Sequence, residues 1–125
     1  DGVHLGQEDM PTEIARKLLG PEKIIGRSTH CLKDIEKAED EGCDYIGIGP
    51  VFNSETKNEL KPLGIDYLRK GLITTNLPAF AIGGINTSNI SQIHQMSKIK
   101  IAVANAIMNS NSPTLAIKGL SKYLK

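Results

Sequence analysis

The sequence predicts an α/β fold in which parallel strands alternate with helices, and three observations predict it. Five short apolar runs rich in Val and Ile recur along the chain, a helix-length segment follows each of them, and glycines stand at the C-terminal ends of the runs. Strict alternation of this kind points to a parallel sheet joined by right-handed crossovers. The runs are continuous rather than alternating, as strands covered on both faces require.

The first strand is Val3-His4-Leu5, closed by Gly6. The helix over residues 11–19 places Ile14, Ala15, Leu18 and Leu19 on one face and stops at Gly20-Pro21. The second strand starts at Lys23-Ile24-Ile25-Gly26 and ends at Ser28-Thr29-His30. The helix over residues 32–41 groups Leu32, Ile35 and Ala38, with Gly42 as its stop and its charge run as the wet face. Tyr45-Ile46-Gly47-Ile48 is the third strand, and residues 65–72 carry Ile65, Leu68 and Leu72 at helical spacing. Ala79-Phe80-Ala81-Ile82 is the fourth strand, and Asn86 or Thr87 is placed to cap a helix holding Ile90 and Ile93. The fifth strand is Ile99-Lys100-Ile101-Ala102-Val103. Pro113 opens a last helix with Ile117, Leu120 and Leu124 on one stripe.

Composition bounds the function. The 125 residues make one domain. A net charge of +1 offers no electrostatic footing for nucleic acid or an anionic membrane, and no apolar run approaches the ~20 residues of a membrane span. Cys31 and Cys43 match no zinc spacing and read as small buried apolar residues, so a reducing compartment, the cytoplasm, is expected. Five units in 125 residues average about 25 residues each. Eight such units would need about 200 residues, the lower limit of a closed eightfold barrel. The expectation is therefore a partial TIM barrel that begins inside a larger fold.

The chemistry-bearing residues collect after the strands, where barrels and open α/β sheets bind ligands. Gly83-Gly84-Ile85 leads toward a helix start, and the fifth strand runs into Ala104-Asn105-Ala106; these are either places for backbone N–H groups to meet a phosphate or simple turn geometry. Asn53-Ser54-Glu55-Thr56-Lys57 offers two hydroxyls and an ammonium to phosphate oxygens, or is a plain solvated loop. Asp9 suits either a Mg²⁺ ligand or a helix cap. His30 stands where a base would stand, but no neighbouring spacing builds a triad, and His4 and His94 suggest no role.

Taken together, the blocks Asp1-Gly2-Val3-His4-Leu5-Gly6-Gln7-Glu8-Asp9, Ile25-Gly26-Arg27-Ser28-Thr29-His30, Asp44-Tyr45-Ile46-Gly47-Ile48-Gly49-Pro50-Val51-Phe52 with Thr56-Lys57, and Ala81-Ile82-Gly83-Gly84-Ile85 resemble the thiamine-phosphate synthase family in order and spacing. The resemblance implies a (β/α)8 barrel of which these are the five C-terminal units, strands four to eight. It implies a transferase that joins hydroxymethylpyrimidine diphosphate to a thiazole phosphate and releases pyrophosphate. By the same resemblance Asp9 is a Mg²⁺ ligand, and Ser28 and Lys57 contact the pyrimidine diphosphate. Ser54, Glu55 and Thr56, with Gly84, Ala104 and Asn105, receive the thiazole phosphate. The family commonly has Thr at the position of Ser54 and Ser at that of Asn105. The expected partners are phosphorylated small molecules and the missing N-terminal half-barrel, which carries a second carboxylate ligand; a homo-oligomer is compatible with the exposed edge. A thiazole tautomerase-like or regulatory relative and a non-catalytic phosphate-binding half-barrel are the competing readings.

Overall fold

The computed structural model describes residues 1–53, 60–96 and 99–123. Its strands are β1 (Gly2–Leu5), β2 (Ile24–Thr29), β3 (Tyr45–Ile48), β4 (Ala79–Ile82) and β5 (Ile99–Ala102). They form one parallel sheet in the order β1-β2-β3-β4-β5. The helices are α1 (Thr12–Leu19), α2 (Leu32–Asp40), α3 (Ile65–Thr74), α4 (Asn105–Met108) and α5 (Pro113–Ser121). Each strand neighbours the next in sequence, so the crossovers step in one direction and all C-terminal strand ends lie on one rim. Among the described residues the sheet is open, with β1 and β5 as its two edges.

The register separates two faces. Ile25, Ile46, Ile48, Ala79 and Ala81 are buried on the face the helices cover. Ile46, Ile48, Ala79 and Ala81 join Ile35 and Ala38 of α2, Leu68 of α3 and Leu120 of α5 in the main core, while Leu5, Ala15 and Ile25 make a smaller cluster under α1. Deleting a buried branched side chain from such a core costs roughly 2–5 kcal/mol. The residues of the other face, His4, Gly26, Ser28, Tyr45, Gly47, Phe80, Ile82 and Lys100, are related by the same register pairs. On that face Ile82 is 45% exposed.

Several expectations need correction. The edge strands are not covered on both faces: β1 has one buried residue and β5 has none. Of the apolar face expected for α1 only Ala15 is buried, together with Thr12; Ile14, Leu18 and Leu19 are exposed, Leu18 to 71%, because the helix lies at the sheet margin. Ile117 of α5, at the other margin, is likewise exposed. Residues 86–93 form no α-helix. Asn86 and Asn89 spend their side chains on local backbone groups, and only a 3₁₀ turn forms at Ile90–Gln92. Cys31 is exposed at the N-cap of α2, where Asp34 Oδ2 accepts the N–H groups of His30 (2.8 Å) and Cys31 (3.1 Å). Cys43 is buried as expected, and burial raises its thiol pKa.

Candidate functional site

A cleft of about 510 Å³ opens on the rim at the C-terminal ends of β2 to β5. It brings together four of the residues singled out in the sequence: Ser28, Gly84, Ala104 and Asn105. Asn53, Gly49, Pro50 and Gly83 line it too, beside apolar residues such as Leu60, Ile82, Ile85 and Val103. None of the described lining residues is a Lys, Arg, Asp or Glu. An anion received there would meet amide and hydroxyl dipoles, which hold a phosphate without a local countercharge.

The glycines of the wall are there for backbone packing. Gly83 (φ 96°) and Gly84 (φ 66°) adopt the left-handed conformation. A Cβ on Gly84 would stand 2.2 Å from the carbonyl oxygen of Asn53, and one on Gly83 2.5 Å from Pro50 Cα. The loop after β4 is thus pressed against the loop after β3. Val51 N–H donates to Ile82 O (2.9 Å) and Phe52 N–H to Gly83 O (3.1 Å). The carbonyl of Gly84 accepts the Asn89 amide at 2.9 Å and the Asn86 amide at 3.3 Å. The Asn53 carbonyl is by itself a sufficient structural reason for a glycine at Gly84.

On the other side of the cleft, His30 Nδ1 lies 2.6 Å from the carbonyl oxygen of Gly49. A carbonyl only accepts, so Nδ1 carries the proton, and His30 links the rims of β2 and β3. Ser28 Oγ lies 2.9 Å from His4 Nε2, and His4 Nδ1 lies 2.9 Å from the Tyr45 hydroxyl. Gln7 Nε2 donates to Ser28 O at 2.5 Å, tying the loop after β1 to the end of β2. His4 and Tyr45 suggested no role in the sequence. Their partnership depends on register across β1, β2 and β3, which no local pattern encodes.

Asp9 stands apart from the cleft wall. Its Oδ2 accepts the Gly6 N–H at 2.6 Å, so the carboxylate shapes the loop between β1 and α1. The N-cap of α1 is Pro11, not Asp9, so the capping alternative does not hold. Among the described residues no three His, Cys, Asp or Glu side chains group into a metal site. Mg²⁺ takes only one or two carboxylates and fills its remaining positions with water and phosphate oxygens, so a lone Asp9 fits as one ligand of a shared site. Ser54, Glu55, Thr56 and Lys57 lie outside the described residues. No helix among the described residues is long and apolar enough to cross a membrane.

Comparison with known proteins places this geometry. The sequence profile described as thiamine monophosphate synthase matches residues 1–107. A thiamine-phosphate synthase of Prochlorococcus marinus is 53% identical over the whole chain, which covers 36% of that relative. The solved thiamine phosphate pyrophosphorylase of Pyrococcus furiosus is similar over 99% of the chain and 59% of its own length, with 37% identity and a TM-score of 0.88. The 3-hexulose-6-phosphate synthase of Salmonella typhimurium shares the fold, at a TM-score of 0.64 and 21% identity. The chain spans about a third of the length of the curated relatives it matches.

Proposed function

The chain belongs to the thiamine monophosphate synthase family, and on that premise we propose that it supplies strands four to eight of a (β/α)8 synthase barrel and the thiazole phosphate side of its active site. The observation that carries this reading is the cleft walled by Gly83-Gly84 and Ala104-Asn105, with no Lys, Arg, Asp or Glu among its described lining residues, after the last two strands of the sheet. In eightfold barrels the loops after strands seven and eight frequently build the phosphate site.

The proposed reaction joins hydroxymethylpyrimidine diphosphate and thiazole phosphate. The bond between the pyrimidine methylene carbon and the diphosphate oxygen breaks, with its electron pair leaving on pyrophosphate. The thiazole nitrogen then donates its lone pair to that carbon, and thiamine phosphate results. No protein nucleophile takes part. The chain's residues act by holding and orienting. Gly84, Ala104 and Asn105 receive the thiazole phosphate, with Ser54, Glu55 and Thr56 in the loop near it. Ser28 gives a hydrogen bond to the diphosphate, and the Lys57 ammonium neutralises charge developing on its oxygens. Asp9 is the residue that would hold Mg²⁺, which when bound supplies further charge stabilisation on the leaving diphosphate.

The test is thiamine phosphate formation from the two phosphorylated halves by the full-length polypeptide that carries this chain. Asp9→Ala and Lys57→Ala are each expected to lower kcat/KM by at least about 100-fold, the scale of losing one electrostatic clamp on a developing charge. Activity unchanged in both variants would remove the assignment.

A further inference from the structure

The open face of the sheet carries a connected row of side chains that the proposed reaction does not yet use. Tyr45 is on β3 and His4 on β1, with β2 between them. The Tyr45 ring crosses the intervening strand at Gly26, where a Cβ would stand 2.0 Å from Tyr45 Cζ. Only a residue without a side chain leaves that passage. The Tyr45 hydroxyl thereby reaches His4 Nδ1, and His4 Nε2 reaches Ser28 Oγ, each at 2.9 Å. Phe80 of β4 packs its edge against the Tyr45 ring at 5.4 Å between centroids, and Lys100 Nζ of β5 lies 5.5 Å from the centre of the Phe80 ring. The row spans all five strands and ends on one hydroxyl of the cleft.

We propose that Tyr45 and His4 are positioning residues that fix the direction of the Ser28 hydroxyl, so that its proton is offered to an acceptor-only ligand such as a diphosphate oxygen. The phenol is more acidic than an aliphatic alcohol, and its oxygen lone pair is drawn into the ring. It is the stronger donor of the two partners, and the relay takes it as the donor toward Nδ1. With Nδ1 accepting, the ring proton of neutral His4 sits on Nε2 and is donated to Ser28 Oγ. Ser28 has then accepted its bond from the protein, and its own O–H remains for the ligand. The opposite tautomer would turn the Ser28 proton toward His4 and leave only lone pairs for the ligand, which an anion repels. Gly26 and Phe80 serve by keeping the Tyr45 ring in place.

The inference rests on the synthase reading for the identity of the ligand, and two measurements separate the two. The first is a double-mutant cycle in the full-length polypeptide that carries this chain, with Tyr45→Phe, Ser28→Ala and the double variant assayed for thiamine phosphate formation. Tyr45→Phe keeps the ring and its packing. It is expected to lower kcat/KM for the pyrimidine diphosphate about five- to tenfold and to leave KM for thiazole phosphate unchanged. In the Ser28→Ala background the same change should have no further effect, because coupled residues are non-additive. Additive losses, or no loss from Tyr45→Phe alone, would overturn the proposal. The second is the ¹⁵N chemical shifts of the His4 ring in the protein without ligand. A proton on Nε2 in the parent, with tautomers mixing in Tyr45→Phe, supports the relay; a proton on Nδ1 in the parent overturns it. If no variant or parent makes thiamine phosphate, the synthase reading falls and the ring shifts decide the relay alone.

Discussion

Asp44 shows how much one side chain can hold together in this chain. Its Oδ2 accepts the Ile25 N–H at 2.7 Å and the Arg16 guanidinium at 2.7 Å. Arg16 also reaches the carbonyls of Lys23 and Gly42. The pair thus ties the turn before β2 to the turn before β3. The Ile25 N–H, then Arg16, holds the Asp44 carboxyl below its usual range. A carboxylate with a lowered folded pKa stabilises above its unfolded pKa and stops doing so as pH falls through the folded value. Asp44→Asn is therefore expected to lose about 1 kcal/mol at pH 7, discounted for the exposure of the pair. The gap from the parent should narrow as pH falls below about 4. Urea unfolding of both proteins at pH 7 and pH 3 measures this, and an equal gap at both values would contradict it.

At the scale of elements, the loop after β4 and the start of α4 bear the phosphate site in the proposed reading, and two substitutions separate loop architecture from ligand contact. Gly84→Ala puts a Cβ against the Asn53 carbonyl from a left-handed backbone, at an expected cost of about 1–3 kcal/mol of stability. A thermal midpoint within a degree of the parent would contradict the packing account. Because the added Cβ would distort the loop itself, Gly84 variants do not isolate binding; Asn105→Asp does. It preserves size but adds a negative charge where the described lining carries none, and it should weaken thiazole phosphate binding at least tenfold in calorimetry with little loss of stability. What the sequence made legible at this scale was the alternation itself and the rim glycines, since both are local signals. Ser28, near the end of β2, and Gly84, Ala104 and Asn105, after β4 and β5, meet in one cleft. The Tyr45 passage over Gly26 was not legible, because it joins residues on three strands through register. The helix expected after Asn86 failed for a related reason: Asn86 and Asn89 satisfy the backbone locally, which the 3.6-residue spacing of Ile90 and Ile93 does not reveal.

For the whole molecule, the described sheet is an open arc with two edge strands, a half-exposed inner face, and apolar residues at both margins, among them Leu18 and Leu115. Unpaired strand edges and exposed apolar stripes favour self-association. In the proposed reading three further β/α units close the barrel against both edges and supply the remaining diphosphate and metal contacts. The Pyrococcus furiosus enzyme, of which the chain covers 59%, has the length for such units. An open arc would also admit water to the electron-poor methylene carbon and divert it to hydrolysis. The most direct measurement compares thiamine phosphate formation by residues 1–125 alone and by the same residues joined to the three preceding units of the Prochlorococcus relative, with and without Mg²⁺. The account predicts Mg²⁺-dependent coupling by the joined protein and none by residues 1–125 alone. Robust turnover by residues 1–125 alone, or none by a folded joined protein, would contradict it.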